Sequence, residues 1–348
     1  MESGGTNGRR QFRRSSAFCW VIAFLLCLPG AGLTAVRLVP WDLGTPWIQL
    51  LSVFPATVMV TLVSAMVALL AVWLDFRRSR TLLAAVVAGV LVVQLGMVLP
   101  RVLPEGGMDP EAAAQAASAD AGRELTVMAL NVGPPGVDAG AILAEARARK
   151  VDVLALPELA HASLESLDQA GVAAEFSHRA LDVDWAGTGS GIFSRFPLQT
   201  VERVPGSVFY QSRAVATIPG GGQGLYLTAV HVDSPRPGHT PYWRAELRQL
   251  GELRRDMQGS PPVILLGDFN AGHDHREFRA LLDTGLTDAA ASVGKGLAPT
   301  WPQNSRIPPF VALDHVLVSP GITVLTFDTV KIAGTDHSAV VATLSLPR

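Results

Sequence analysis

Three uncharged, apolar runs follow one another within the first hundred residues, and they decide what the front of this chain can become. Ser15 to Val36 spans 22 residues, Leu43 to Leu74 spans 32 and Thr81 to Pro100 spans 20. The hydrocarbon core of a bilayer takes roughly 20 apolar residues of helix, so each run is long enough to cross it. Three in succession are hard to place as buried helices of a soluble domain. Transmembrane helices are expected over about 15–36, 46–74 and 81–102, with Pro55 tolerated inside the second. Arg9, Arg10, Arg13 and Arg14 precede the first run, and Arg77, Arg78 and Arg80 lie between the second and third. The loop between the first and second carries only Arg37, balanced by Asp42. By the positive-inside bias, the N-terminus and the 77–80 loop face the cytoplasm, and everything after the third run is expected outside. Arg9, Arg10 and Phe12 also fit a twin-arginine signal. Cleavage of the first run would leave this topology unchanged.

The rest of the chain has a different composition. All eight histidines and 23 of the 30 acidic residues lie after residue 122. Residues 1–103 therefore read as a membrane anchor, 104–122 (small, acidic, poor in large apolar residues) as a linker, and 123–348 as a domain large enough for its own core. The only cysteines, Cys19 and Cys27, are in the first apolar run, which excludes a disulfide framework or a thiolate zinc site in the later domain. That domain carries 19 Lys and Arg against 23 Asp and Glu, a net charge of −4. A protein that grips nucleic acid by its backbone shows a basic face, so this balance argues against a nonspecific nuclease.

Within residues 123–348, Glu124–Asn131 alternates as a strand does. Val151–Leu156 and Pro262–Leu266 read as short buried strands, Leu225–Val232 as another, and Val311–Val318 and Ser338–Leu346 as late ones. Ala139–Lys150 and Pro241–Met257 read as helices, and Pro219–Gly224 as a hairpin-like turn. Strands mixed with helices imply an α/β sandwich. Polar residues collect at the strand ends: Asn131, Glu158, His231, Asp268 and Asn270 follow strands, while Asp314–His315 and Asp336–His337 begin them. Gathered on one rim, such carboxylates, amides and imidazoles suit a hard divalent cation, Mg²⁺ or Mn²⁺.

The ordered stretches MALNVG, DVLALPE, GSGIFSRFPL, LTAVHVDSP, VILLGDFNA, LDHVLVS and GTDHSAVVATL resemble the endonuclease/exonuclease/phosphatase superfamily. They cover nearly all of residues 124–348. The resemblance implies a four-layered α/β sandwich, two packed mixed β-sheets flanked by helices, with the site at one end. The three-helix anchor before such a domain resembles the VanJ-type teicoplanin-resistance membrane proteins.

The same resemblance implies roles. Glu158 becomes a metal ligand instead of a solvated loop acid. Asn131 becomes a metal-side or phosphate-orienting amide instead of a turn former, and Asp336 a metal-side carboxylate. Asp268 positions or deprotonates the attacking water, Asn270 holds the phosphate, His231 hydrogen-bonds the phosphate or the leaving group, and His337 is a catalytic imidazole oriented by Asp314. His315 is left as structural. His273-Asp274-His275 is read as a solvated loop, with metal binding the alternative. Trp185, Trp243 and Trp301 are read first as core packing, with pocket lining the alternative. The glycines of 187–191 lack the Lys-Ser/Thr of a phosphate loop.

The expectation is a phosphoester hydrolase at the outer membrane face, acting on a phospholipid or lipid-linked (pyro)phosphate and contributing to glycopeptide resistance. A surface nuclease and a non-enzymatic antibiotic-binding or scaffold protein are the alternatives.

Overall fold

The structure is a computed structural model that describes residues 4–39, 43–104, 123–133, 136–219, 224–257, 259 and 261–347. Most of the expected linker and of the 219–224 turn lies outside the described residues. The chain divides into two units, Met1–Leu99 and Pro100–Arg348.

The first unit is helical: α1 (Gly4–Leu38), α2 (Trp47–Leu51), α3 (Phe54–Leu74) and α4 (Arg78–Val102), whose last three residues fall in the second unit. Gln11–Leu38, Phe54–Leu74 and Arg78–Val102 are long and apolar enough to cross a membrane. The second apolar run is divided into two helices, not one. Pro55 sits in the first turn of α3, where a missing N–H costs nothing, so the chain restarts there and does not bend around an interior proline. The packing is inverted relative to a soluble bundle. Ser16, Thr34, Thr57, Thr61, Ser64 and Gln94 are buried, while Phe18, Leu25, Met59, Leu69 and Val92 are exposed. The buried hydroxyls and amide join neighbouring helices: Ser16 Oγ donates to Ala71 O (2.6 Å), Ser64 Oγ to Ala23 O (2.7 Å) and Gln94 Nε2 to Thr34 Oγ1 (3.1 Å). These polar groups are buried beside an apolar cluster of Leu33, Phe54, Val58 and Val98, and polar side chains joining helices under an exposed apolar surface are an arrangement that a lipid solvent favours.

The second unit is built on two six-stranded mixed sheets. The first, in spatial order, contains β11 (Thr323–Lys331), β12 (Ser338–Leu346), β1 (Arg123–Ala129), β2 (Val153–Pro157), β4 (Ser190–Ser194) and β3 (His178–Asp182). The second contains β5 (Leu198–Val201), β6 (Arg213–Ala216), β7 (Leu225–His231), β8 (Val263–Asp268), β10 (Asp314–Val318) and β9 (Thr287–Asp288). The helices are α5 (Ala139–Ala148), α6 (His161–Gln169), α7 (Val172–Glu175), α8 (Thr240–Asp256), α9 (Arg276–Leu282) and α10 (Ala289–Ser292). The sandwich expected from the sequence is thus present.

Strand β1 shows why these residues choose this fold. Its period of two sends Leu125, Val127 and Ala129 into the cluster between the sheets, with Ile264, Leu266, Val316 and Val340. Met128 and Leu130 turn the other way, onto Ile142, Leu143 and Leu167 of α5 and α6. Strands β2 and β8 are buried along their whole length, which explains their continuous apolar runs: both faces are covered. Asp138 starts α5 by accepting from Ala141 N (2.9 Å), and closes the helix's first turn. In β8, Gly267 adopts φ +140° and a Cβ there would lie 2.2 Å from Val230 O, so only glycine lets the strand pass this close to β7 before Asp268. Arg101, at the start of this unit, makes a buried bidentate pair with Asp274 (2.8 and 2.6 Å).

Candidate active site

Strand register assembles the site. β7 and β8 are parallel and pair His231 with Asp268, while β10 is antiparallel to β8 and pairs Asp314 with Asp268. Three adjacent strands therefore place an imidazole and two carboxylates side by side at one end of the second sheet. From the first sheet, β1 and β2 are parallel and end just before Asn131 and Glu158, and antiparallel β12 begins just after His337. The two sheets bring these groups face to face.

Asn131 ties the halves together. Its Nδ2 donates to Glu158 Oε1 and to Asp268 Oδ2, both at 3.0 Å, and Gly133 N donates to its Oδ1 (2.9 Å). The amide oxygen is thereby engaged by backbone, and the N–H₂ side faces the carboxylates. His231 Nε2 lies 3.3 Å from Glu158 Oε1 and 3.9 Å from Asp268 Oδ2. Asn270 donates its backbone N–H to Asp268 Oδ1 (2.8 Å) and its Nδ2 to Val232 O (2.9 Å) and Asp268 Oδ2 (3.2 Å). Glu158 (φ 59°) and Asn270 (φ 46°) both hold left-handed backbone, a conformation unfavourable for Glu that persists because neighbours on both sides fix it.

His337 Nδ1 donates to Asp314 Oδ2 (2.8 Å), and its Nε2 lies 3.8 Å from Asp268 Oδ2. Burial works against its charged form, but Asp314 and Asp268 outweigh burial and raise it to about 10, so it is an imidazolium at neutral pH. His231 is the opposite case. Burial first, then the charge on His337, lowers it to about 3, so it is neutral. A proton on its Nε2 lets it donate toward Glu158, while its Nδ1 is buried without a hydrogen-bond partner. Burial pushes the Asp268 carboxyl up, with Asp314 adding and His337 opposing. Burial also raises Glu158, with Asp336 and Asp314 adding their repulsion. Two imidazoles pushed in opposite directions are an acid–base division of labour written by environment.

Several partners were not visible in the sequence. Trp301 Nε1 donates to Asp336 Oδ2 (3.1 Å), and Trp243 Nε1 donates to Asn270 O (3.0 Å). Phe209 lies against His231 with ring centroids 3.9 Å apart. Buried Glu246 of α8 accepts from Asp233 N (2.6 Å) and Ser207 Oγ (2.6 Å), and so braces the loop after His231 against the 205–210 loop. Thr335 Oγ1 donates to Asn131 O (2.7 Å). Apart from Thr335, which lies within GTDHSAVVATL, the only signals in the sequence were single Trp, Phe and Glu residues outside any motif. Of the three tryptophans, Trp243 is core, Trp301 serves Asp336, and Trp185 is exposed, which overturns core packing for the last.

The segment His273-Asp274-His275 is not the solvated loop expected. His273 Nε2 lies 2.7 Å from Asp288 Oδ2, Asp274 pairs with Arg101, and His275 Nδ1 accepts from Gly272 N (2.9 Å). Its partners are remote in sequence, which is why local composition misled. His315 is structural, as expected. It lies 3.2 Å from Asp288 through Nδ1, and its Nε2 donates to Ala271 O (3.0 Å), just past Asn270.

A sandwich of two mixed sheets carrying this ring of acids, amides and imidazoles at one end defines a class, that of phosphoester hydrolases. The chain belongs to the endonuclease/exonuclease/phosphatase family, whose model matches residues 130–337. Its fold is similar to that of a family protein from Bacteroides vulgatus (13% identity, TM-score 0.53, 64% of this chain and 99% of that one). It is also similar to a humanized D. rerio TDP2 (19% identity, TM-score 0.51, 64% and 99%) and to D. rerio TDP2 complexed with a single-strand DNA product (20% identity, TM-score 0.51, 64% and 99%). No curated protein matches the sequence.

Proposed function

We propose that the protein is a membrane-anchored, metal-dependent phosphoesterase working at the outer face of the cytoplasmic membrane. Its substrate is a phospholipid or lipid-linked (pyro)phosphate, and it contributes to teicoplanin-type glycopeptide resistance. The observation that carries the chemistry is the in-register line His231–Asp268–Asp314, closed from the other sheet by Asn131, Glu158 and His337. The inverted packing of the helical unit supports the anchor.

The donor set fits a hard divalent cation. Among the described residues, Glu158, Asp268, Asp314 and Asp336 face a single imidazolium, which leaves the carboxylates in excess of positive charge. Asp268, Asp314 and His337 each offer a ligand atom within 4.8 Å of the others. His337, however, is charged and bound to Asp314, so that trio is a catalytic pair beside a base, and the cation belongs with Glu158 and Asp336. Asn131 serves it by holding Glu158. When bound, Mg²⁺ or Mn²⁺ supplies charge neutralisation at the phosphoryl and leaving oxygens.

The chain's own residues do the rest. Asp268 aligns a water for in-line attack and takes its proton as the water oxygen bonds to phosphorus and the bond to the leaving oxygen breaks. Neutral His231 donates to a phosphoryl oxygen, and the Asn270 amide does so when the substrate displaces its longer bond to Asp268 Oδ2 (3.2 Å). Cationic His337, fixed by Asp314, stabilises the charge that develops there.

Full-length protein in mixed micelles at about 0.15 M salt, where long-range repulsion is mostly screened, is expected to cleave a lipid pyrophosphate or phospholipid much faster than duplex DNA. Faster DNA cleavage would put the nuclease reading in its place, and tight glycopeptide binding with neither substrate cleaved would favour the non-enzymatic one. A reporter fused after Arg348 is expected to be active only outside the cytoplasm. Labelling of that terminus by a cytoplasmic reagent in intact cells would overturn the topology.

A further inference from the structure

The large apolar side chains exposed on the second unit are not scattered. Among the described residues they are Trp185 (86% exposed), Ile307 (61%), Leu103 (56%), Tyr242 (56%), Phe310 (51%), Val208 (46%) and Leu297 (37%). All but Leu103 and Leu297 lie on four segments that pack against catalytic groups or against their near neighbours in the chain. Trp185 is next to Asp184, which bridges to Ala160 just after Glu158, and its ring lies 4.4 Å from that of His161. Val208 precedes Phe209, which covers His231. Tyr242 opens α8 with its ring 6.1 Å from that of His239, which in turn binds Asp233 (2.8 Å), two residues past His231. Ile307 and Phe310 are on the loop after Trp301, the donor to Asp336, and Phe310 N donates back to Trp301 O (3.0 Å).

We propose that Trp185, Val208, Tyr242, Ile307 and Phe310 form an apolar rim around the catalytic mouth that seats on a lipid bilayer, placing the acyl chains against the rim and the phosphate in the site. The inference rests on the lipid-substrate reading above and deepens it. Isolated exposed apolar residues need no partner, but a ring of them around a single mouth does. Charge selects the partner. The four segments (184–188, 205–210, 233–242 and 301–311) hold Arg236 and Arg306 against Asp184 and Asp233, with Arg236 paired to Asp233 (3.4 Å), so they are net neutral on a domain whose net charge is −4. That uncharged balance, with aromatic and aliphatic side chains beside two arginines, matches a headgroup layer above hydrocarbon, where Trp and Tyr rings and Arg side chains are favoured. Two arginines are too few for backbone-driven nucleic-acid binding. Three helices apolar enough to span a membrane belong to the same chain, which keeps a bilayer within reach.

The test uses full-length protein in nanodiscs of phosphatidylcholine and phosphatidylglycerol, in a background where Cys19 and Cys27 are replaced by alanine. An environment-sensitive fluorophore on Ile307→Cys should be quenched by spin-labelled acyl chains. The same fluorophore on Thr323→Cys, at the opposite end of the strands, should not. Trp185→Ser combined with Ile307→Ser should lower the rate on nanodisc lipid about tenfold or more, while a soluble nitrophenyl phosphate ester is cleaved within about twofold of the wild-type rate. Equal quenching at both positions, or none at Ile307 with lipid cleavage unaffected by the double substitution, would overturn the rim. If the fluorophore at Ile307 is quenched but wild type cleaves no lipid, the rim stands and the substrate reading falls. Lipid cleavage without quenching gives the reverse.

Discussion

His337→Ala is expected to lower kcat by about two to four orders of magnitude, the usual scale for losing a charged donor at the transition state. Of the two site imidazoles, His231 and His337, His337 is the one held charged, and Asp314, which holds it, is bonded to it at 2.8 Å. The pair acts as a unit, so Asp314→Asn should fall by a similar factor. The double variant should then be little worse than either single one, because groups that act together lose their effect together. Steady-state kinetics on a soluble phosphate ester, with circular dichroism to confirm folding, makes the comparison. Losses that multiply in the double variant would mean that the two residues work independently and that Asp314 does not orient the imidazole.

Asp288→Asn is expected to destabilise the second unit by about 3 kcal/mol, because removing one partner strands a buried charge. Asp288 is fully enclosed between His273 and His315 and also caps α10 through Ala290 N (3.1 Å). Burial disfavours its charged form, but His315 and His273 outweigh burial and hold the Asp288 carboxyl well below the usual range. Burial likewise opposes the charge on His315, which Asp288 holds above its ordinary value. The signs set the pH dependence. The depressed carboxyl contributes stability above its unfolded value of about 3.9, and this is lost as pH falls through the folded value. The raised imidazole contributes fully below about 6.5, and this is lost as pH rises through its folded value. The difference between wild type and variant in denaturant melts should therefore be largest between about pH 4 and 6.5 and shrink at alkaline pH. A difference unchanged across that range would mean that the cluster is not held by charge. Because His315 also bonds to Ala271 O, the same variant should loosen the loop that carries Asp268 and Asn270.

What the sequence made legible follows from how local each signal is. The buried central strands β2, β7 and β8 announce themselves as continuous apolar runs. Glu158, His231 and Asp268 at their ends stand out because a polar group directly after such a run sits on the rim of a sheet, where the chain leaves the core. Strands β3, β5, β6 and β9 are short and lie at or near sheet edges. β11 alternates, with Thr323, Thr326, Asp328 and Lys331 exposed, so its composition resembles a surface loop. The late strand expected from Val311 begins only at Asp314, because Val311 pairs with Trp301 in an isolated bridge instead of joining the sheet. The second apolar run looked uniform in hydropathy, yet Pro55 divides it, a backbone effect that hydropathy does not register. Trp301 on Asp336, Glu246 beneath the 205–210 loop and the Asp288 cluster all join residues far apart in the chain, and no local pattern marks them.

This ring of acids and imidazoles is expected to hydrolyse phosphate esters with the help of a divalent cation. The direct measurement is nitrophenol release from soluble nitrophenyl phosphate mono- and diesters by the full-length protein in detergent, first in EDTA and then as Mg²⁺ is restored. The expected result is no turnover in EDTA and recovery with Mg²⁺. In Glu158→Gln, the Mg²⁺ concentration for half-maximal rate should rise by at least the roughly 10–100-fold that even outer-shell partners of a ligand are worth. An undiminished rate in EDTA, or in Asp268→Ala, would contradict the account.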